Sequence, residues 1–195
     1  MTNDFYSNWK EGDEGWFHCP DDDVLNNALT TWAKFNGLRD AKKIIDFACG
    51  RASAGIILSK EYKSLIYHGF DNIENIVKAA NKDLADYPNA KAFLLDIITG
   101  TVNDTYDAAL DLNGLDMIHD KKNREIYLKN AYNCLGIKAP MLFLFQPYDS
   151  GKRKTKADYE SEITAAGFAI TPCVTPDDGK YPNALCIWTR KCKEL

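Results

Sequence analysis

Four aspartates set the chemical question. Each stands at the end of a short apolar run: Asp46 in "IIDFACG", Asp71 after "LIYHGF", Asp96 after "KAFLL" and Asp111 in "YDAALDLN". The first run continues into small residues, Ala48, Cys49 and Gly50, before a helix-compatible stretch. A turn built from small side chains lets a ligand come close to the backbone, and the helix after it offers unpaired N–H groups. An acid ending the next strand, Asp71, is placed to accept both hydroxyls of a ribose, as in dinucleotide-binding folds. Asp96, one strand further, is placed to accept from the exocyclic amine of a purine. Together these suit an adenosine.

The elements needed to position such acids are readable in order. The spacing predicts a helix over 21–36, with Leu25, Leu29, Trp32, Ala33 and Phe35 on one face. Strands follow at 43–47, 65–70, 91–96, 106–112 and 139–147, with helices at 52–60, 73–84 and 122–135 between the first four and the fifth. A helix at 156–167 and two adjacent strands, 168–174 and 184–191, close the chain as an antiparallel pair. Strands alternating with helices mean right-handed βαβ units and parallel pairing. The strands are nearly all apolar, as expected where helices cover both faces of the sheet. In such three-layer folds, ligands bind beyond the carboxyl ends of the strands.

Composition narrows the class. The chain has 195 residues, 45% hydrophobic and 27% charged, which fits one soluble domain with a full core. The net charge of -4 argues against a protein built to grip phosphate backbones, so no nucleic-acid partner is expected. Six cysteines, Cys19, Cys49, Cys134, Cys173, Cys186 and Cys192, form no C-x-x-C pair and read as free thiols in a reducing cytoplasm. The start "MTNDFYSNWKEGDEGW" has neither a basic head nor an apolar core, and no run is long enough to span a membrane. The expectation is a cytoplasmic protein with no membrane partner. Oligomeric state is not legible. His/Cys spacing fits no zinc site, and no metal is expected.

A nicotinamide fingerprint needs G-x-G-x-x-G, but this turn reads A-C-G-R-A-S. Its missing glycines favour a nucleoside without a phosphate chain. Here the chain resembles the Rossmann-like (class I) S-adenosylmethionine-dependent methyltransferases, small-molecule type, from about Lys43 to Leu195. "IIDFACGRASAG" resembles their first motif, "YHGFDNIENIVKAA" the second strand with its ribose-binding acid, and "AFLLDI" the third strand with its adenine-side acid. "YDAALDLNGLDMIHD" resembles the fourth strand and the loop beneath the methyl donor. "LKNAYNCLGIKAPMLFLFQP" and "ITAAGFAI" resemble the elements that follow. The N-terminal "FYSNWKEGDEGWFH" is faintly similar to the thiopurine and tellurite methyltransferase branch. Ala48 and Ala52 depart from the pattern; many members carry glycine there.

The resemblance implies a three-layer αβα fold with a mostly parallel seven-stranded sheet, order 3-2-1-4-5-7-6, strand seven antiparallel. It implies one methyltransferase domain over 1–195, with 1–40 a helical lid segment and 41–195 the cofactor-binding core. The cofactor would be S-adenosyl-L-methionine. Asp46 would orient the turn or reach the methionine ammonium, Ala48 and Gly50 would present backbone groups, and Asp71 would hold the ribose. Asp71 has an alternative as a cap for the next helix, a task Asn72 would otherwise take. Asp96 and Ile97 would flank adenine; the alternative for Asp96 is an ordinary turn acid.

Asp111, Leu112 and Asn113 lie where the donor methyl would face its acceptor. Asp111 is a general base, an acceptor-binding group or a loop acid satisfied by backbone N–H groups. Tyr6, Trp9, Trp16, Phe17 and His18 form an aromatic start that either lids the site or seals the sheet, with His18 kept as a second acid/base residue. His68 reads as a core histidine, His119 as a surface one, and the basic "GKRKTK" as a solvated loop. The implied activity is methyl transfer to a small-molecule acceptor by direct displacement. The rivals are an NAD-linked oxidoreductase and a non-catalytic nucleoside-binding protein.

Overall fold

A computed structural model describes residues 23–145, 154–173 and 185–192. Helix α1 (Asp23–Phe35) leads into β1 (Lys43–Phe47), α2 (Ser53–Glu61), β2 (Ile66–Asp71), α3 (Glu74–Asp83) and β3 (Ala90–Leu94). Then come β4 (Ala108–Leu112), α4 (Lys121–Asn133), β5 (Pro140–Phe145), α5 (Lys156–Ala165), β6 (Phe168–Thr171) and β7 (Leu185–Lys191). The strands form one seven-stranded sheet, β3-β2-β1-β4-β5-β7-β6. The first five are parallel, and β7 runs antiparallel between β5 and β6. This is the order that the resemblance implies. Among the described residues, no helix is long and apolar enough to cross a membrane.

Alternate strand residues feed two cores. Ile44, Tyr67, Ala108, Leu110 and Leu142 face α1, α2 and α3, while Ile45, Phe47, Ala109, Met141 and Phe143 face α4 and α5. Both faces of the sheet are covered, which is why the strands show no polar alternation. The described part of 1–40 belongs to this core: Leu29, Trp32 and Ala33 of α1 are fully buried.

Differences from the sequence expectations fall at the element ends. The strand expected from Tyr106 begins at Ala108. Tyr106 makes only one bridge, to Leu135, and the Asp107 carboxylate takes the N–H groups of Lys42 and Lys43. β3 stops at Leu94, and Asp96 lies in the turn beyond it. β2 runs on to include Asp71 itself.

Helix α2 lies close on β2 because it carries Gly55. A Cβ there would stand 2.5 Å from the Tyr67 ring. That ring is fully buried and its hydroxyl is tied to Asp46, so it has nowhere to move. Gly55→Ala is expected to destabilise the fold: overpacking costs typically 1–3 kcal/mol, against about 1 kcal/mol gained in helix propensity. An unchanged or higher urea midpoint would show that the ring yields.

Candidate functional site

The carboxyl ends of β1, β2 and β4 bring three acids together under one turn. The turn after β1 is left-handed three times, at Ala48 (φ 52°), Gly50 (φ 53°) and Ala52 (φ 58°). The alanines therefore hold a backbone shape that glycine adopts freely. The turn is pinned from the next strand: Gly50 N–H donates to Asp71 Oδ2 at 3.1 Å. Cys49 packs so closely on β2 that a Cβ on Gly69 would meet its sulfur at 2.7 Å. Burial first, then the charges of Asp46 and Asp71, push the Cys49 thiol well up, which suits a packed thiol and not a nucleophile.

Asp71 also accepts from Ile73 N–H at 3.0 Å through Oδ1. The cap-like bond thus falls to Asp71, while Asn72 is exposed and the start of α3 has no side-chain cap. Asp71 is buried, and burial raises its pKa against the pull of the Ile73, Gly50 and Asn72 N–H groups. A carboxylate offers about four acceptor positions, so Asp71 keeps capacity for a ligand hydroxyl.

Asp46 lies beneath the turn, fully buried. Its Oδ2 accepts from Tyr67 O–H at 2.5 Å, and its Oδ1 is buried with no partner among the described residues. Burial pushes its pKa up to about 8, opposed by the Tyr67 hydrogen bond and reinforced by the Asp111 and Asp71 charges. Asp111 is also fully buried but well satisfied. Gly114 N–H donates to it at 2.6 Å, Leu115 N–H at 3.0 Å and Tyr127 O–H at 2.9 Å. Burial raises its pKa to about 6 against these bonds and the nearby Arg124 charge. Its geometry is that of the loop acid, holding 114–115 against the end of β4.

The remaining rim residues are spread along the same edge. Leu112 is half-buried, and Asn113 is buried with φ 79°. A Cβ on Gly114 would meet Ala48 Cβ at 2.7 Å, so the loops after β1 and β4 touch. Asp96 accepts from Ile98 N–H at 2.9 Å, an ordinary Asx turn, while Ile97 is buried and its carbonyl accepts from Asn130. Leu94, opposite Asp71 in register and 54% exposed, leaves an apolar surface at this edge.

Sequence reasoning missed Tyr67 and Tyr127, the hydroxyl donors to Asp46 and Asp111. It also missed Arg124, which binds Glu162 at 2.9 Å and donates to the carbonyls of Leu115 and Ile118. No local motif marks these residues. Lys154 and Lys156 of the basic run pair with Glu162 and Glu160. His68 is half-buried on Tyr106, and His119 is exposed. Tyr6, Trp9, Trp16, Phe17 and His18 lie outside the described residues.

No protein-family profile and no curated protein matches the chain. Solved structures do match it. An S-adenosylmethionine-dependent methyltransferase from Clostridium acetobutylicum aligns with a TM-score of 0.71 at 12% identity, over 89% of this chain and 94% of that one. A TehB-like methyltransferase from Corynebacterium glutamicum gives 0.66 at 20% identity, over 84% and 87%. The cyclase SpnF gives 0.64 at 14% identity over 75% of this chain, which spans 59% of the cyclase. At these identities the likeness is one of fold. The chain has the Rossmann-like methyltransferase fold, with its β3-β2-β1-β4-β5-β7-β6 sheet.

Two outcomes follow from the site's strain and buried charge. Ala48 is exposed and left-handed, at a cost of about 1–2 kcal/mol. Ala48→Gly is expected to stabilise by roughly 0.5–1 kcal/mol once glycine's greater unfolded freedom is deducted; a lowered denaturation midpoint would contradict this. Asp46 holds its proton to higher pH folded than unfolded. Its contribution is complete below the ordinary carboxyl pKa and is lost as pH rises through about 8. Between about pH 6.5 and about pH 8, stability should fall by up to about 1.36 kcal/mol per pH unit. Asp46→Asn, which keeps an acceptor for Tyr67, should flatten that slope; an equal slope in both proteins would remove Asp46 as its source.

Proposed function

We propose that this protein is an S-adenosylmethionine-dependent methyltransferase acting on a small-molecule acceptor. The observation that carries the reading is the cluster of buried acids under the left-handed turn. Asp46 feels the charges of Asp71 and Asp111, while the cation of the turn itself, Arg51, is paired with Asp83. A ligand over this turn meets a negative field. That favours one bearing an ammonium and a sulfonium, and disfavours the pyrophosphate of a nicotinamide dinucleotide. The unpartnered Asp46 Oδ1 fits such a cation, whose charge would favour loss of the Asp46 proton.

When bound, S-adenosylmethionine supplies an electrophilic methyl group. Asp71 would accept from the ribose, with Gly50 and Ile73 N–H holding its carboxylate in place. Ala48 and Gly50 would offer backbone groups to the methionine end, while Leu94, Asn72, Asp96 and Ile97 would surround the purine. Leu112 and Asn113 would border the methyl, with the acceptor beyond them. Asp111 is already committed to Gly114, Leu115 and Tyr127 and would act by positioning that loop. Alignment then carries the rate, and acceptors that arrive as thiolates or neutral amines need no base. Trp9 and Trp16 as a lid and His18 as a base remain part of the proposal, as do the single domain over 1–195, a cytoplasmic location and the absence of a nucleic-acid partner.

Calorimetric titration tests the pocket. The protein should bind S-adenosylhomocysteine and not NAD. Asp71→Asn, which retains one oxygen, should weaken binding about ten- to a hundredfold, the loss of a hydrogen bond to a charged group. Unchanged affinity, or a preference for NAD, would overturn the reading. Methyl-labelled donor offered with small thiols, amines, phenols and metalloid anions then identifies the acceptor.

A further inference from the structure

Two cysteines that this chemistry does not use face each other at the same rim. β6 and β7 pair antiparallel with Thr171 opposite Trp188. The paired register ends there; continued by two residues past Pro172 it would set Cys173 against Cys186, and Cys173 packs against the core cluster that contains Cys186. The Cys186 thiol is within hydrogen-bonding reach of Cys173. Neither is in a disulfide; Cys186 is buried and Cys173 half-buried. Were the pairing to extend to Cys173, facing Cα atoms would stand about 4.5–5.5 Å apart, inside the window of about 4.4–6.8 Å that a disulfide requires. Cys186 lies opposite Leu144, at the carboxyl end of β5. The pair therefore stands at the ligand-binding edge of the sheet.

The surroundings give the two sulfurs different parts. The contact with Cys173 and then burial push the Cys186 thiol up, while Trp188 and Lys156 favour its thiolate. Cys173, the more open, is the one that meets a soluble oxidant.

We propose that Cys173 and Cys186 form a reversible disulfide by exchange with an oxidised low-molecular-weight thiol, such as glutathione disulfide. Cys173 gives its proton to solvent and attacks one sulfur of the small disulfide. The first small thiolate leaves and is protonated. Cys186 then loses its proton and attacks Cys173 Sγ, expelling the second small thiolate, which is also protonated. Two protein thiols have become one disulfide, and one small disulfide has become two thiols. The bond would tie the end of β6 to the start of β7. Intracellular disulfides are usually transient and redox-sensing, which agrees with a reversible bond here.

The test uses the full chain treated with glutathione disulfide, trapped with N-ethylmaleimide and mapped by mass spectrometry. The expected product is a cross-linked 173–186 peptide pair, lighter by two hydrogens and restored by dithiothreitol. The exposed Cys192 reports whether the oxidant reached the protein, and oxidant is raised until Cys192 carries glutathione. Cys186→Ala should leave a lasting glutathione adduct on Cys173, and Cys186→Ser serves if the alanine variant fails to fold. A lasting adduct on Cys173 in the unsubstituted protein overturns the proposal. So does full alkylation of both thiols while Cys192 is modified, or a bond from either to another cysteine.

Discussion

The constraint on which the site depends is buried negative charge. Asp46, Asp71 and Asp111 all lose their water, and a desolvated carboxylate is costly unless it is neutralised or well supplied with donors. The three meet this differently. Asp111 draws on two backbone N–H groups and the Tyr127 hydroxyl. Asp71 draws on the backbone at Gly50 and Ile73, and in doing so fixes the turn over the site. Among the described residues, Asp46 has one donor, Tyr67, and one oxygen with none. It is the acid left to depend on a proton, or on a cationic ligand taking the proton's place.

That asymmetry explains why the turn is built as it is. Two alanines hold left-handed backbone where glycine would relax it, and strain of this kind persists where neighbouring structure imposes it. Here the neighbours are named: Gly50 is held by Asp71, Cys49 is pressed on Gly69, and Ala48 touches the Gly114 loop. Ala52 is fully buried and returns some of its cost through packing, whereas Ala48 is exposed and returns less. Stability and a fixed ligand cradle therefore pull apart at Ala48 specifically.

Much of this was legible in the residue pattern. Strand and helix order, the closing antiparallel pair and the acids at the strand ends follow from periodicity and punctuation, which are local. The partners of those acids are not local. Tyr67 reaches Asp46 from a neighbouring strand, and Tyr127 reaches Asp111 from a helix on the far side of the chain's next turn. A tyrosine in an apolar run reads as core, and both are core; their hydroxyls become informative only when the topology aims them. The strand ends erred for a related reason. Asp107 and Asp96 use their carboxylates on nearby backbone N–H groups, which ends or prevents strand pairing in a way that apolar content does not report.

The fold is shared with methyltransferases and with a cyclase, so the sheet alone does not choose the chemistry. The choice lies in what surrounds the carboxyl edge. On the β1–β2 side, the buried acids and the left-handed turn are what the proposed cationic, phosphate-free adenosyl ligand would meet. On the β4 side, Arg124 fastens the 115–118 loop to α5 through Glu162, and Tyr159 bonds Asp116 across the same gap. The wall facing an acceptor is thereby braced by groups already spent on one another. A wall so committed can align a nucleophile but offers Asp111 no freedom to deprotonate it. On the proposed methyl-transfer reading, acceptor reactivity would then come from the acceptor's own ionisation, or from a base outside this braced loop.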